Sequence, residues 1–328
     1  MARSGFIRFK FGIHGPEIFS DHVLSYTFPT IDDIEPLIGI ESGGTLLTIR
    51  GSNLTIGNGH LSIIIGQQPC SLQSVSDKKI QCETNRFPKA LSRKQLPIKI
   101  IFDRRTQISY RDLFMVAENP LVYSFDRYHH YRSFRTGGHR LTVFGENFHL
   151  IQNVQLEFQQ FLFVSPLFRN STHLKFLTPS TQELQLNQQQ QQQVDITLHL
   201  DNFMRNSTLI YFNDPMVFSL APRDQSHSER LIIYGRNLTD IGHSKNDIHV
   251  HIGCDQCEMI DFQFDKIICQ PPSTRPAKIS QNKELCYESQ HPNIIVTIDN
   301  LRIVVGSLIY PRKVFVIGKF NQFNVDLH

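Results

Sequence analysis

The six cysteines are the residues whose spacing carries the most chemical information in this sequence. Cys70 and Cys82 lie 12 positions apart, and so do Cys257 and Cys269, each pair after an Ile-Gly step. The same spacing at the same place in two parts of the chain predicts a disulfide across a hairpin in each part. One such bridge is worth about 3 kcal/mol by loop-closure entropy.

Cys254 and Cys286 remain, and they leave two chemistries open. They can form a third disulfide, or Cys254-x-x-Cys257 together with Cys269 and Cys286 can offer four thiolates to zinc, because Cys-x-x-Cys is a zinc signal. The second half of that set is not a Cys-x-x-Cys, and Cys257 and Cys269 have counterparts in a region with only two cysteines. The pattern therefore favours disulfides over a metal.

Catalysis requires a nucleophile with a base, paired carboxylates or a ligand set. Among the 15 histidines, the best candidates are His129-His130 and His249 with His251. His249 and His251 alternate along an apolar run and would share one face of a strand, which makes a metal pair without a third ligand. The sequence contains no phosphate-binding glycine loop, Gly-x-Ser-x-Gly elbow or His-Glu-x-x-His motif. We predict no enzymatic activity, no metal and no cofactor.

Four asparagines stand in Asn-x-Ser/Thr sequons and are candidate glycan acceptors in an exported chain. They are Asn53, Asn170, Asn206 and Asn237. Asn170 and Asn206 lie in polar stretches that predict turns, and these two are the better acceptors. Asn53 and Asn237 end a repeated Gly-x-Asn pattern, where asparagine is favoured because it tolerates positive φ and bonds to its own backbone. We interpret those two as structural turn residues.

The elements that must position these side chains belong to a globular chain. It has 328 residues, of which 40% are hydrophobic and 19% charged. That length fits two or three domains, and the composition argues against disorder. A net charge of +3 is small for a nucleic-acid binder of this size. No run of eighteen apolar residues occurs, so the sequence predicts no membrane span.

The first ten residues lack the apolar core of a secretory signal, although the cysteines and sequons favour secretion. Either the protein is intracellular, or the sequence is an internal piece of a longer exported chain, as a fragment or an incomplete gene model would be.

Three segments follow one pattern, which determines the predicted architecture. In each, an apolar run ends in Gly-x-Asn followed by Leu or Phe, here called the Gly-x-Asn tag. The tag asparagines are Asn53, Asn147 and Asn237, and a glycine pair precedes the first two runs, at Gly43-Gly44 and Gly137-Gly138. Short apolar strands and polar turns fill each repeat. The sequence predicts an all-β protein of tandem immunoglobulin-like sandwiches, each with about seven strands.

Domain boundaries follow from a proline beside the first strand of each repeat. The predicted domains are 30–118, 119–213 and 214–311. Residues 1–29 have the pattern of the last two strands of a preceding domain, and 312–328 form a C-terminal extension or the start of a following segment. The short junctions leave little linker, so neighbouring sandwiches are expected to pack end to end.

The order of these motifs resembles that of IPT/TIG domains, which are immunoglobulin-like folds of plexins, the hepatocyte growth factor receptor group and some transcription factors. The resemblance covers nearly the whole chain. The strings most similar to plexins are Ile65-Gly66-Gln67-Gln68-Pro69-Cys70, His149-Leu150-Ile151-Gln152-Asn153, Leu200-Asp201-Asn202 and Tyr211-Phe212-Asn213-Asp214-Pro215. In their order, the repeats resemble the second to fourth IPT domains of a plexin ectodomain, with residues 1–29 as the end of the first.

The resemblance implies an extracellular stalk of a semaphorin receptor at the plasma membrane, acting in semaphorin–plexin signalling and axon guidance. It implies that semaphorin binding and membrane crossing reside in regions absent from this sequence, and that receptor self-association is a further partner class. It supports the disulfides Cys70–Cys82 and Cys257–Cys269 more than Cys254–Cys286.

Two alternatives belong to other classes. One is the stalk of a hepatocyte-growth-factor-receptor-like protein. The other is a TIG-fold nucleic-acid-binding protein of the transcription-factor type, to which the basic clusters at Lys78-Lys79, Arg93-Lys94 and Arg104-Arg105 would contribute. A solvated strand-and-loop face is the simpler interpretation of those charges, and we predict no nucleic-acid partner.

The second repeat departs from the pattern. It has no cysteine, and Val164 and Phe176 stand twelve apart where the other repeats have the pair. An apolar contact can replace a bridge there. The repeat also contains the glutamines Gln188 to Gln193, which we interpret as a solvated loop rather than a self-association tract. We expect this repeat to be the least stable.

Overall fold

The computed structural model describes residues 3–56, 60–104, 106–125, 131–186, 192–222, 230–238, 248–277, 291–298, 301–309 and 315–317. Within these ranges the regular structure is 27 β-strands and two 3₁₀ turns, Lys89–Leu91 and Phe148–Leu150. Buried and exposed residues alternate along many of the strands, as expected when one face of a sheet packs on a core. The predicted all-β class is confirmed.

An N-terminal hairpin precedes the sandwiches. It consists of β1 (Arg3–Lys10) and β2 (Glu17–Tyr26), which pair only with each other among the described residues. Its apolar side chains are exposed, with Phe6 at 58% and Phe9 at 55%. In the part of the chain that the structure describes, neither face of this hairpin is therefore packed.

Unit 1 is an eight-stranded sheet closed over one core, in the order β3-β5-β8-β7-β6-β9-β10-β4. Its strands are β3 (Thr30–Glu35), β4 (Ile38–Ile40), β5 (Leu46–Ser52), β6 (Leu61–Ile65), β7 (Gln68–Val75), β8 (Lys79–Thr84), β9 (Gln95–Phe102) and β10 (Thr106–Ala117). Strand β7 pairs with β6 on one side and β8 on the other, so it joins the two layers. Strand β4 lies parallel to β10.

Unit 2 has two separate sheets, β11-β13-β17-β16 and β12-β19-β18-β14-β15. Its strands are β11 (Leu121–Phe125), β12 (Tyr131–Phe134), β13 (Arg140–Glu146), β14 (Val154–Phe158), β15 (Leu162–Val164), β16 (Phe168–Arg169), β17 (His173–Leu177), β18 (Gln192–Leu200) and β19 (Phe203–Phe212). The segment that corresponds to β7 is divided at Ser165-Pro166 into β15 and β16, one on each sheet. Proline has no N–H for the ladder, which explains the division.

Unit 3 is again one eight-stranded sheet, in the order β20-β21-β24-β23-β22-β25-β26-β27. Its strands are β20 (Met216–Pro222), β21 (Leu231–Arg236), β22 (Ile248–Ile252), β23 (Asp255–Phe262), β24 (Lys266–Gln270), β25 (Asn293–Ile298), β26 (Leu301–Ile309) and β27 (Phe315–Ile317). Strand β27 pairs antiparallel with β26, at the position that β4 and β12 take in units 1 and 2. Residues 315–317, which the sequence placed in an extension beyond residue 311, thus add a strand to this sheet.

Two disulfides occupy equivalent places in units 1 and 3. Cys70 and Cys82 are joined with an S–S distance of 2.07 Å, and Cys257 and Cys269 with 2.09 Å. Because Cys257 and Cys269 bond to each other, they are not thiolates available to zinc, and the zinc alternative is wrong for them. Cys286 lies outside the described residues, so its pairing with Cys254 stays a prediction.

The strand register shows what replaces the bridge in unit 2. Val164 lies opposite Leu156 as Cys70 lies opposite Ile63. Phe176 lies opposite Leu141 as Cys82 lies opposite Leu47. Phe176 is fully buried and Val164 packs against the same core, so apolar side chains occupy both cysteine positions.

Part of the glutamine tract lies in a strand. Gln188 to Gln191 lie outside the described residues. Gln192 and Gln193 begin β18 and pair with Tyr211 and Ile210 of β19. The strand therefore starts before the apolar run at Val194 that marks it in the sequence, because backbone pairing with β19 does not depend on the side chains.

Candidate functional site: the junctions between units

Clusters of titratable or metal-ligating side chains are the first candidates for a site. Among the described residues, no group of three or more His, Cys, Asp or Glu side chains is placed to hold a metal ion. His249 and His251 do share one face of β22, with ring centroids 6.4 Å apart. Burial lowers the pKa of His251, and the neighbouring His249 and Arg302 lower it further. His129 and His130 lie outside the described residues.

The Gly-x-Asn tag brings the backbone close to the first strand of its own unit. A Cβ on the tag glycine would lie 2.0 Å from the Thr30 carbonyl oxygen at Gly51 and 2.1 Å from the Leu121 carbonyl oxygen at Gly145. Only glycine permits that approach. The tag asparagines all have positive φ, 57° at Asn53, 66° at Asn147 and 61° at Asn237.

The residue that follows each tag asparagine is a core residue. Leu54, Phe148 and Leu238 are all buried, each in the core of its own unit. The tag therefore combines a close backbone approach, a left-handed turn and a core anchor. This explains why the same short pattern recurs in three units.

One apolar side chain from each of the first two units is buried in the core of the next unit. Ile40, at the end of β4, is 0% exposed and belongs to the hydrophobic cluster of unit 2. Phe134, at the end of β12, is 1% exposed and belongs to the cluster of unit 3. We call these two residues the junction anchors. Burying such a side chain is worth about 1.5–3 kcal/mol, which favours a fixed junction over a loose linker.

The linker residue before each proline caps the same turn in both junctions. Asn119 Oδ1 accepts a hydrogen bond from the Ser42 N–H at 3.0 Å. Asp214 Oδ1 accepts from the N–H of Thr136 at 3.0 Å and from its hydroxyl at 3.1 Å. The Asn119 amide also donates to Glu41 Oε1 at 3.1 Å. The linkers are thus hydrogen-bonded into the preceding unit.

The two glycines of that turn are required for different reasons: the first by packing within unit 1 and the second by contact with unit 2. A Cβ on Gly43 would lie 2.5 Å from the Thr84 carbonyl oxygen, within unit 1. A Cβ on Gly44 would instead lie 2.6 Å from the backbone nitrogen of Asn202, in unit 2. Both glycines have positive φ, 77° and 87°. The second glycine is therefore required by contact between the units as well as by the turn.

Polar contacts between units 1 and 2 surround Gly44. The Leu46 N–H donates to Gln152 Oε1 at 2.7 Å, and Gln152 Nε2 donates back to the Leu46 carbonyl at 3.2 Å. The side-chain amide of Gln152 thus pairs with the edge of β5 as a neighbouring strand would. Asn202 Nδ2 donates to Glu83 Oε1 at 3.2 Å.

Asp201 is the titratable group at this junction. Its carboxylate accepts hydrogen bonds from the N–H groups of Gln152 at 3.0 Å and Asn153 at 2.7 Å. The pKa of Asp201 is raised to about 6, mainly by burial and in smaller part by the charge of Glu83 in unit 1, while the two N–H groups and Arg169 oppose the shift. The loss of hydration exceeds what two hydrogen bonds return.

The junction between units 2 and 3 contains an open cleft. Its volume is about 420 Å³, and its charged lining residues are Arg135, Asp214, Arg236 and Arg302. The guanidinium of Arg236 lies 5.4 Å from the ring centroid of Phe218. Three of the four charged residues are cationic, so the cleft carries net positive charge.

The sequon asparagines differ in what their side chains do. Asn53 Nδ2 donates to the Phe28 carbonyl at 3.4 Å, and Asn237 Nδ2 donates to the Asp214 carbonyl at 3.5 Å. Asn170 lies in the turn between β16 and β17 and is exposed. Asn206 is exposed too, but it lies within β19 opposite Thr197, so the predicted turn at Asn206 is wrong. The outer face of a half-buried strand has the polar composition of a turn.

The contacts of Gln152 and Asp201-Asn202 were not assigned from the sequence. Both lie in strings that carried the resemblance to plexins, His149 to Asn153 and Leu200 to Asn202. The similarity of these strings to plexins was the available signal. Nothing local in those strings identified the partner surface, because Leu46 and Gln152 are 106 positions apart.

Comparison with known proteins identifies the fold and the first domain. Residues 29–114 match the IPT/TIG domain model, so unit 1 is an IPT/TIG domain. A structure of the full extracellular region of plexin A4 matches 91% of this chain with a TM-score of 0.51 and 20% sequence identity. In another structure of that region, the match covers 88% of this chain and 33% of the plexin chain, with 14% sequence identity and a TM-score of 0.34.

The resemblance to plexin-type IPT domains is therefore confirmed at the level of fold. The chain has the tandem sandwich architecture of a plexin ectodomain segment and spans about a quarter of the first plexin chain, 24%. Among the described residues, no helix has the length and apolar character needed to cross a membrane.

Proposed function

We propose that this chain is an extracellular spacer and protein-interaction segment of a plexin-like semaphorin receptor at the plasma membrane. Its domains are 30–118, 119–213 and a third that begins at 214 and includes β27 (Phe315–Ile317), with residues 1–29 closing a preceding domain. It acts mechanically and not by catalysis, holding a ligand-binding region at a set distance and angle. Semaphorin binding and membrane attachment belong to other regions of such a receptor, and axon guidance is the process in which it would act.

The observation that carries the spacer proposal is the pair of junction anchors. A flexible tether needs no apolar residue of one domain inside the core of the next. Ile40 and Phe134 provide that contact at both junctions, and Asn119 and Asp214 cap the turns beside them. The same arrangement, repeated twice, supports a semi-rigid rod.

The disulfides support an extracellular location. Cys70–Cys82 and Cys257–Cys269 form the bridges expected of a chain that folds in an oxidising compartment. Mass mapping of unreduced protein from its native source should recover both links, and it tests Cys254–Cys286 as well. Six free thiols in that protein would contradict the proposal.

X-ray scattering of the intact chain tests the rod. A single compact body of this length would have a radius of gyration of about 20 Å. We expect a clearly larger value and a narrow distribution of dimensions. Ile40→Ser should broaden the distribution, because a hydroxyl in the core of unit 2 loses hydrogen bonds to water.

Ile13→Ser is the matched control, since Ile13 is 83% exposed in the hairpin turn. It should leave the scattering curve unchanged. A compact globule for the unaltered chain, or identical curves for all three proteins, would refute the rod. The flanking gene sequence gives a further check, because a propeller upstream and a membrane helix downstream are expected of a plexin-like receptor.

A further inference from the structure

The outer face of one sheet in unit 2 presents an exposed aromatic ring close to a sequon. Phe168 of β16 is 48% exposed. Phe168 lies opposite Lys175 of β17, and Arg169 lies opposite Leu174, which is fully buried. Because successive side chains alternate between faces, Phe168 and Lys175 face outward. The Asn170 N–H donates to the His173 carbonyl at 3.0 Å, which continues the ladder and puts Asn170 on the same outer face.

The turn fixes one end of the Asn170 amide. Its Oδ1 accepts hydrogen bonds from the N–H of Thr172 at 2.9 Å, the N–H of His173 at 2.6 Å and the Thr172 hydroxyl at 3.3 Å. In the described part of the chain, no hydrogen bond uses its Nδ2. Since the amide is planar, holding Oδ1 against the turn leaves Nδ2 directed toward solvent.

We propose that Asn170 carries an N-linked glycan whose first sugar covers the ring of Phe168. The inference rests on the proposed extracellular function, because N-glycosylation occurs on exported chains. The first sugar has an apolar face of C–H groups, and such a face packs on an aromatic ring. Two positions along one strand face place the ring within reach of a sugar bonded to Nδ2.

The covalent step uses a lipid-diphosphate-linked oligosaccharide as the co-reactant. Asn170 Nδ2 forms a bond to C1 of the first sugar, and the bond between C1 and the phosphate oxygen breaks. The lipid diphosphate leaves with the electron pair of that bond, and Nδ2 loses one proton. No oxidant or reductant is involved.

The other sequons lack this combination. Nδ2 of Asn53 and of Asn237, the atom that would be glycosylated, already donates to a backbone carbonyl. Asn206 is exposed, but the residue two positions before it on the same strand face is Met204, which has no ring. Asn170 is thus distinguished by a free amide nitrogen together with an exposed aromatic neighbour.

The covering sugar also fits the expectation that unit 2 is the least stable of the three units. There β16 is a two-residue edge strand, and no disulfide fastens it to its neighbour. A sugar on Phe168 would remove apolar surface from water at that edge. The Lys175 ammonium lies 5.5 Å from the ring centroid, on a long exposed side chain that can move to admit a sugar.

The experiment uses the whole chain, secreted by mammalian cells behind an added signal peptide. Peptide mass spectrometry measures occupancy at all four sequons. The stability of unit 2 is then compared for the unaltered chain, Asn170→Gln, Phe168→Ala and the double variant, before and after an endoglycosidase trims glycans to the first sugar. Leu167→Ala is the matched control, since Leu167 is the neighbouring apolar residue and is still more exposed than Phe168, at 63%.

We expect Asn170 to be occupied and its glycan to raise the folding equilibrium constant of unit 2 by about two- to tenfold, the range for a contact with an aromatic ring. Trimming to the first sugar should preserve the gain, Phe168→Ala should abolish it and Leu167→Ala should not. An unoccupied Asn170, or an equal gain in Phe168→Ala, would overturn the inference. Because the signal peptide forces export, such a result leaves the spacer proposal standing, whereas free thiols in native protein refute the spacer and not this site.

Discussion

Gly44 is required both by its own backbone conformation and by the contact between units 1 and 2. Its φ of 87° favours glycine, and a Cβ there would also meet the backbone of Asn202. Gly66 shares the first property, with φ at 63°, but its Cβ would meet only the flexible side chain of Leu96 at 3.1 Å. Comparing substitutions at these two glycines therefore distinguishes the effect of backbone strain from the effect of contact between the units.

Gly44→Ala should open the first junction, and Gly66→Ala should not. Both variants should lose about 1–2 kcal/mol of stability, because each puts a Cβ in the left-handed region. Only Gly44→Ala should broaden the distribution of angles between units 1 and 2, measured by residual dipolar couplings. Equal angular order in the two variants would contradict the contact with Asn202.

Asp201 should make this junction weaker at neutral pH than at acid pH. Its pKa rises from 3.8 in the unfolded chain to about 6 in the folded chain. The folded state therefore binds the proton more tightly, and the stability that this proton gives is full below pH 3.8 and lost as pH rises through about 6.

Asp201→Asn should consequently stabilise the protein at pH 7.5, by about 1–2 kcal/mol after allowance for solvent screening, and have little effect near pH 4. Thermal unfolding midpoints at the two pH values measure the difference. Asp195→Asn, on the exposed face of β18, is the control. A stabilisation that is equal at both pH values would show that the carboxylate charge at the junction is not its cause.

At the scale of strands, unit 2 differs from its neighbours in how its layers are joined. Units 1 and 3 use one strand and one disulfide to connect the layers. Unit 2 divides that strand at Pro166 and packs Val164 and Phe176 at the cysteine positions. Apolar contacts fill the space, but they do not restrict the unfolded chain as a disulfide does.

Unit 2 should therefore open first under oxidising conditions. Amide hydrogens in β15 and β16 should exchange before those in β7 or β23, and proteases should cleave unit 2 first, most readily near the glutamines 188–193. Reductant should make the stabilities of the three units more similar. It lowers the free energy of unfolding of each bridged unit by about 3 kcal/mol and leaves that of unit 2 unchanged. First cleavage inside unit 1 or unit 3 without reductant would contradict this order.

At the scale of the whole molecule, the junction anchors couple the stability of neighbouring units. Phe134 belongs to unit 2 by chain order and to the core of unit 3 by packing. Phe176 is equally buried, but it lies in the core of unit 2 alone. These two phenylalanines form a matched pair for testing the coupling.

Phe134→Ala should destabilise unit 3 by about 3–5 kcal/mol, the range for truncating a buried phenylalanine. Phe176→Ala should destabilise unit 2 by a similar amount and leave unit 3 unaffected. Hydrogen exchange in β21 and β25 reports on unit 3. Unchanged exchange in those strands for Phe134→Ala would mean that the units are stable independently.

The features that repeat locally could be predicted from the amino-acid sequence. The Gly-x-Asn tag, the glycine pairs and the 12-residue cysteine spacing each arise within one strand, turn or hairpin, so their physical causes lie within short windows. From these the class, the tandem organisation and the hairpin disulfides followed. The alternation of polar and apolar residues did not reveal the strand at Asn206, because the exposed face of β19 has the polar composition of a turn.

The contacts that join the units could not be predicted in this way and are visible only in the three-dimensional fold. Glu83 and Asn202 are 119 positions apart, and Leu46 and Gln152 are 106 apart. Ile40 and Phe134 have the side chains of ordinary core residues, and nothing in their own strands shows that their core belongs to the next unit. A contact between two domains depends on the angle at which both surfaces meet, and that angle leaves no periodic trace in either sequence.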